Sequence, residues 1–257
     1  MAWDGRPLGL QLRPGASGVR WCVQLTLCML LWLCATVAHA AAPNQDWPRI
    51  PVPKGAKSYW IAQHIVHNTI PMQISAFDSG QSVDAAHRFY EQWLSDKRGY
   101  GVTQMADAQI LGAQMGVFHI TVELRAGRGG KGTSGRMSAA VVYDESGPSA
   151  EERIALMGKG FPRPVASDVL SDTVSHDPDR SNRTLAIRNR LSVEANALYL
   201  REQLIVQGWE VMSDKTVRGG RHSALVFRRG AEEMVVNISV LDAECHIVAS
   251  LTSPRAR

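Results

Sequence analysis

Cysteine is scarce in this 257-residue chain, and its placement makes it scarcer still. Three of the four, Cys22, Cys28 and Cys34, lie in the first forty residues, which leaves only Cys245 beyond them. A body with one cysteine has no internal disulfide, which excludes the cystine-stapled scaffolds of small secreted domains. Long hydrophobic runs are lacking too. The prominent apolar stretch, Trp21 to about Ala35, is about 15 residues long, whereas a bilayer-spanning helix needs about 20.

Clustered charge of one sign is also missing. The formal net charge is +4, and Arg6, Arg13 and Arg20 against Asp4 account for half of it within the first forty residues. A polyanion-binding face needs concentrated positive charge, so no nucleic-acid partner is expected.

The motifs of common enzyme classes are absent as well. There is no Gly-x-Ser-x-Gly elbow. In the glycine-rich segment 127–135 Lys131 is followed by Gly132, where a phosphate-cradling loop needs serine or threonine. Cys245 and His246 are neighbours, and neighbours on a strand face opposite ways; Cys245 reads as a small buried residue. His64 and His67, three apart on a strand, do not chelate one ion together. No catalytic, cofactor-binding or metal-binding residue is assigned.

What is present begins with an export signal. The arginines, the apolar run and Ala38-His39-Ala40 follow the order of n-region, h-region and small-residue cleavage site. Residues 1–40 are therefore expected to be a signal peptide cut after Ala40, with no transmembrane segment in the mature chain.

An internal repeat follows, at a separation of about 110 residues. Pro51-Val52-Pro53 returns as Pro162-Arg163-Pro164, and Ser82-Val83-Asp84-Ala85 as Ser192-Val193-Glu194-Ala195. Gly99-Tyr100-Gly101-Val102 returns as Gly208-Trp209-Glu210-Val211, and the stretch Val117–Val122 as Val235–Val240. The second pair reads as helix starts, since serine caps the free N–H groups and an acid suits the positive end of the helix dipole. Glycine then stops each helix and an aromatic opens a strand.

The spacing predicts strands near 58–66, 69–77, 100–106, 116–124 and 136–143 around a helix near 82–96. It predicts a second set near 168–175, 182–189, 209–214, 222–229, 232–240 and 244–251 around a helix near 192–206. The fold class expected is α+β: two duplicated ββαβββ-like units, each an antiparallel sheet with one long helix packed on a face. Their bounds are 41–144 and 162–257, with a connector at 145–161. Trp60, Trp93, Tyr100, Tyr199 and Trp209 are expected in the core. The lead-ins, helix starts and helix exits resemble small exported proteins of Gram-negative bacteria in which one helix packs on an antiparallel sheet. That resemblance implies a periplasmic or secreted location and an accessory role beside a secretion or surface-assembly system; it carries no catalytic residues.

The expected function is non-catalytic binding of an envelope protein through strand edges or the inter-unit surface. A small-ligand or lipid-binding module is the alternative, and a hydrolase the least supported. Arg125, Arg128, Lys131 and Arg136, around the glycine-rich loop, are the candidate partner contacts.

Overall fold

The computed structural model describes residues 46–144, 147–216 and 220–254. The expected signal peptide, with Ala38 and Ala40, lies outside the described residues. Two strands open the fold, β1 (Lys57–His67) and β2 (Ile70–Ser79), followed by helix α1 (Val83–Leu94). Ser82 caps α1 by accepting a hydrogen bond from the Ala85 N–H at 3.2 Å. Four strands then run as a meander: β3 (Arg98–Gln104), β4 (Gln109–Met115), β5 (Phe118–Ala126) and β6 (Thr133–Val141). A short helix α2 (Ala150–Leu156), held by a capping box between Ser149 and Glu152, leads into the second half. There β7 (Asp168–His176) and β8 (Arg180–Asn189) precede α3 (Val193–Val206), and β9 (Glu210–Thr216), β10 (His222–Arg229), β11 (Glu232–Leu241) and β12 (Glu244–Pro254) follow it.

The expected α+β class, two ββαβββ-like units each with its own antiparallel sheet under one long helix, is not what forms. All twelve strands of the described residues join one antiparallel sheet, ordered β3-β4-β5-β6-β2-β1-β7-β8-β12-β11-β10-β9, so strands dominate and only three α-helices occur among the described residues. The physical reason is the seam between β1 and β7. Ile65, Val66 and His67 pair with Ser175, Val174 and Thr173, and the Asn68 N–H extends the ladder to the Asp172 carbonyl at 2.8 Å. Edge pairing thus merges two sheets that would otherwise each have an open central edge.

From either outer edge inward the strands come in corresponding order, which makes the halves comparable position by position. The helices pack on one face, α1 over β4 and β5, α3 over β9, β10 and β11. Beneath α1 the core holds Phe77, Tyr90, Leu94, Leu111, Ile120, Val122 and Leu124. Beneath α3 it holds Ile187, Leu200, Leu204, Leu225, Phe227, Val236 and Ile247.

Cross-strand register also moves one of the sequence matches. Val122 lies opposite Met137, and Val236 lies opposite Ala249. These are corresponding rows, so Val122 matches Val236 rather than Val240. A slip of four residues preserves strand alternation, and the hydrophobic pattern alone does not detect it.

Candidate functional site

On the helix-bearing face, α1 packs over β4 and β5 and meets the inner side of β2 and β6 only in part, at residues such as Phe77 and Met137, which leaves a gap towards β1. The proline-stiffened segment before β1 runs beside this gap. It is strapped down by Tyr90, whose hydroxyl donates to the Pro51 carbonyl at 2.9 Å and lies 3.2 Å from the Met137 sulfur. Burial pushes the Tyr90 hydroxyl pKa up, which keeps it a neutral donor. Trp47 anchors the start of the segment, its ring 5.0 Å from that of Phe118.

Between segment and sheet lies a groove of about 410 Å³. Its floor is Gln73, Ser75, Met137 and Ala139. Its walls are Trp47, Ile50 and Val52 on one side and Ser58, Tyr59 and Trp60 on the other. Arg49 is the only charged residue lining it, and among the described residues it has no ion-pair partner. The volume falls in the range of small-molecule and side-chain pockets, about 300–1,000 Å³.

Beside the groove, β1 departs from regular pairing. Against β2 it carries two bulges, between Trp60 and Ala62 and between Ala62 and Ile65. On its other side it pairs with β7 only at Ile65–His67, so Lys57 to His64 form an open edge among the described residues. Tyr59, Trp60 and Ile61 on this edge are more than half exposed. Such an edge is a template for another strand unless charge, proline or bulges blunt it. The bulges are present, but Lys57 is the only fully charged residue over those eight positions.

Trp60 is thus a departure from expectation. Of the five aromatics expected in the core, Trp209 is buried and Trp93, Tyr100 and Tyr199 pack at its margins, whereas Trp60 is 54% exposed. A signal was present in the sequence, because the residue at its register position in the second half is not aromatic. Trp60 lies opposite Ser75, and Asp172 lies opposite Leu185, the match of Ser75.

The second half has a pocket of about 180 Å³ that shares its floor and the lead-in side with the groove but is otherwise walled by Gln207, Trp209, Arg229 and Met234. Its floor residues Arg183, Leu185, Ala249 and Leu251 match Gln73, Ser75, Met137 and Ala139 in register. Asp172, 9% exposed, accepts from Arg183 Nε at 2.9 Å, Arg183 Nη2 at 2.7 Å and the Gly158 N–H at 2.8 Å. Phe161, one residue before the second proline lead-in, belongs to the buried core. Ile50 is its counterpart in the first half.

The four basic residues expected to contact a partner fall into two kinds. Arg125 bonds Glu123 and Asp107, and Arg136 bonds the same Glu123. The Arg125 guanidinium, then that of Arg136, holds the Glu123 carboxyl below the usual carboxylate range. Arg128 and Lys131 are exposed in the β5–β6 connection, which contains a 3-10 turn at Arg128–Gly130. That connection is closed by the Gly127 N–H donating to the Gly132 carbonyl at 3.1 Å. Gly132, at φ +70°, sits so close to the Ser79 carbonyl that a Cβ would lie 2.2 Å from that oxygen.

Cys245 is buried, and desolvation pushes its thiol pKa up. His64 and His67 are both exposed, and His67 Nδ1 lies 2.8 Å from Thr173 Oγ1. Among the described residues no group of three or more potential ligands is placed to hold a metal ion, and no helix is long and apolar enough to cross a membrane. No family model matches the chain, and neither curated proteins nor solved structures give a match.

Proposed function

We propose that this chain is an exported, non-catalytic binding protein of the bacterial envelope. It takes an extended segment of a partner protein by strand addition to the open edge of β1. The observation that carries this reading is the coincidence of two features. Lys57 to His64 present unpaired backbone with an exposed Tyr-Trp-Ile run, and the groove beside them offers space for side chains of an added strand. In strand addition, main-chain hydrogen bonds supply affinity and pockets for alternate side chains supply specificity.

The other open edges suit this role less. β9 carries Glu210, Asp214 and Lys215 within seven residues, a charge density that blunts an edge. β3 contains two glycines, which weaken a strand.

A photo-crosslinking residue in place of Gln63 tests the reading in cells of the source organism. One defined protein adduct is expected from position 63 and none from a control at Thr184, on the exposed face of β8. Adducts of equal yield at both positions, or at neither, contradict strand addition at β1.

A small-ligand or lipid module is the second reading, favoured by the size of the groove and its mostly apolar lining. Native mass spectrometry decides it. A discrete added mass that disappears with Ala139→Trp, a substitution that fills the floor, supports it, and an apo mass speaks against it.

A further inference from the structure

Resting on the strand-addition reading, we infer that the groove selects a segment bearing an apolar side chain and a nearby carboxylate, with the carboxylate paired to Arg49. The second half supplies the first argument, because there the same space is filled from within the chain. The filling groups are an aromatic ring, Phe161, and a carboxylate, Asp172. At the matching positions the first half has Ile50 and Trp60, and its floor has Gln73 and Ser75 where the second half has Arg183 and Leu185. The first half therefore lacks both the ring and the acid that close the second.

Charge supplies the second argument. In the second half the guanidinium of Arg183 is met by Asp172. In the first half the guanidinium at the groove is Arg49, on the lead-in rather than the floor, and no acid of the described residues pairs with it. A lone cation at the rim of an apolar groove favours a ligand that is apolar in its body and acidic at one point. Strand addition brings both features from one segment, since alternate side chains of an added strand face the groove.

Peptides test this directly. The probe is a blocked hexapeptide of alternating threonine and phenylalanine in which one phenylalanine is replaced by aspartate, so that the aspartate shares a face with the remaining phenylalanines; its asparagine twin is the control. Binding is read by isothermal titration to the protein without its first forty residues, with decanoate as a separate small carboxylate. The aspartate peptide is expected to bind about fivefold tighter than the asparagine twin, the scale of one exposed ion pair. Arg49→Gln is expected to abolish that difference while leaving the asparagine peptide unchanged. The groove-closing pair Ile50→Phe and Ser75→Leu is expected to weaken both peptides, with unchanged circular dichroism confirming the fold.

Equal affinity of the two peptides, or a preference that survives Arg49→Gln, overturns the inference but leaves strand addition standing if the position 63 adduct forms. Arg49-dependent binding of decanoate with no peptide binding also overturns it, in favour of a small acidic ligand. No peptide binding together with no adduct removes both readings.

Discussion

Corresponding rows of the sheet are packed in opposite ways in its two halves. One inner-face row of the first half runs Ser58, Phe77, Gly135, Leu124, and its counterpart runs Val169, Ile187, Ile247, Ile238. A very large and a very small residue in one are replaced by two of middle size in the other. A Cβ on Gly135 would lie 2.0 Å from the Phe77 ring, so the glycine is there to admit that ring. In the next row, Trp60 and Ser75 leave space where Asp172 and Leu185 close it. The same backbone plan thus gives a self-sufficient half and a half with vacant space, and the difference lies in a few side chains.

The largest effect expected is from Gly135→Ile, which forces a side chain into the Phe77 ring. Overpacking of this kind costs about 3 kcal/mol or more. Adding Phe77→Ile converts the pair to that of the second half and should recover most of the loss in urea denaturation. A double variant as unstable as the single one would break the correspondence of the rows.

Next comes the contrast between Asp172→Ala and Trp60→Ala, at matching positions. Removing Asp172 strands the Arg183 guanidinium and the Gly158 N–H. The pair is partly solvated, so a loss of about 2–4 kcal/mol is expected, at or below the scale for buried pairs. Trp60→Ala should cost less, about 1–2 kcal/mol, because only about half of the side chain is buried and no charge is left unpaired. Equal losses would show that Trp60 is packed as its counterpart is.

A gain of stability is expected at the first hairpin. Asn68 and Thr69 both have positive φ, at 48° and 69°, whereas the turn between β7 and β8 has none. Thr69 is β-branched in a region that suits glycine, and its buried hydroxyl has no hydrogen-bond partner among the described residues. Thr69→Gly is expected to raise stability by about 1 kcal/mol in thermal unfolding. A loss would mean that the hydroxyl is satisfied in solution.

The smallest effect concerns Glu123, whose counterpart in the second half is Asn237. Its folded pKa is lowered by Arg125 and Arg136. Its contribution is therefore present above the ordinary value of 4.5 and fades as pH falls through the lower folded value. The arginines are well exposed, so Glu123→Gln should cost less than about 1 kcal/mol at pH 7 and nothing once the carboxyl is protonated in the folded protein. A penalty that persists at low pH would indicate lost packing rather than lost charge.

Much of the local structure was legible from residue patterns. Ser82 and Ser192 announce both long helices, and alternation places most strands. β4 escaped because Gln109–Met115 contains a single β-branched residue, Ile110, with glycine and alanine at its centre. Ala113 is buried on the face beneath α1 and Gly112 lies on the other face against the His119 ring, so the packing that calls for small residues there is also what hides the strand. The continuous sheet was not legible, since three residue pairs between β1 and β7 join the halves and no periodicity marks them. The groove was hidden for the same kind of reason: its lining comes from 47–52, 58–60, 73–75 and 137–139, segments that only the fold brings together. The glycine-rich loop drew notice by composition, whereas Trp60 and Arg49 matter by position.

Hydrogen exchange at β1 tests the central claim most directly. The account predicts that edge amides within Lys57–His64 exchange quickly in the free protein and become protected when the aspartate peptide binds, while the open β7 edge at Asp168–Ser171 is unchanged. Amides of 57–64 already protected in the free protein, or peptide-induced protection at β7 and not at β1, would contradict it.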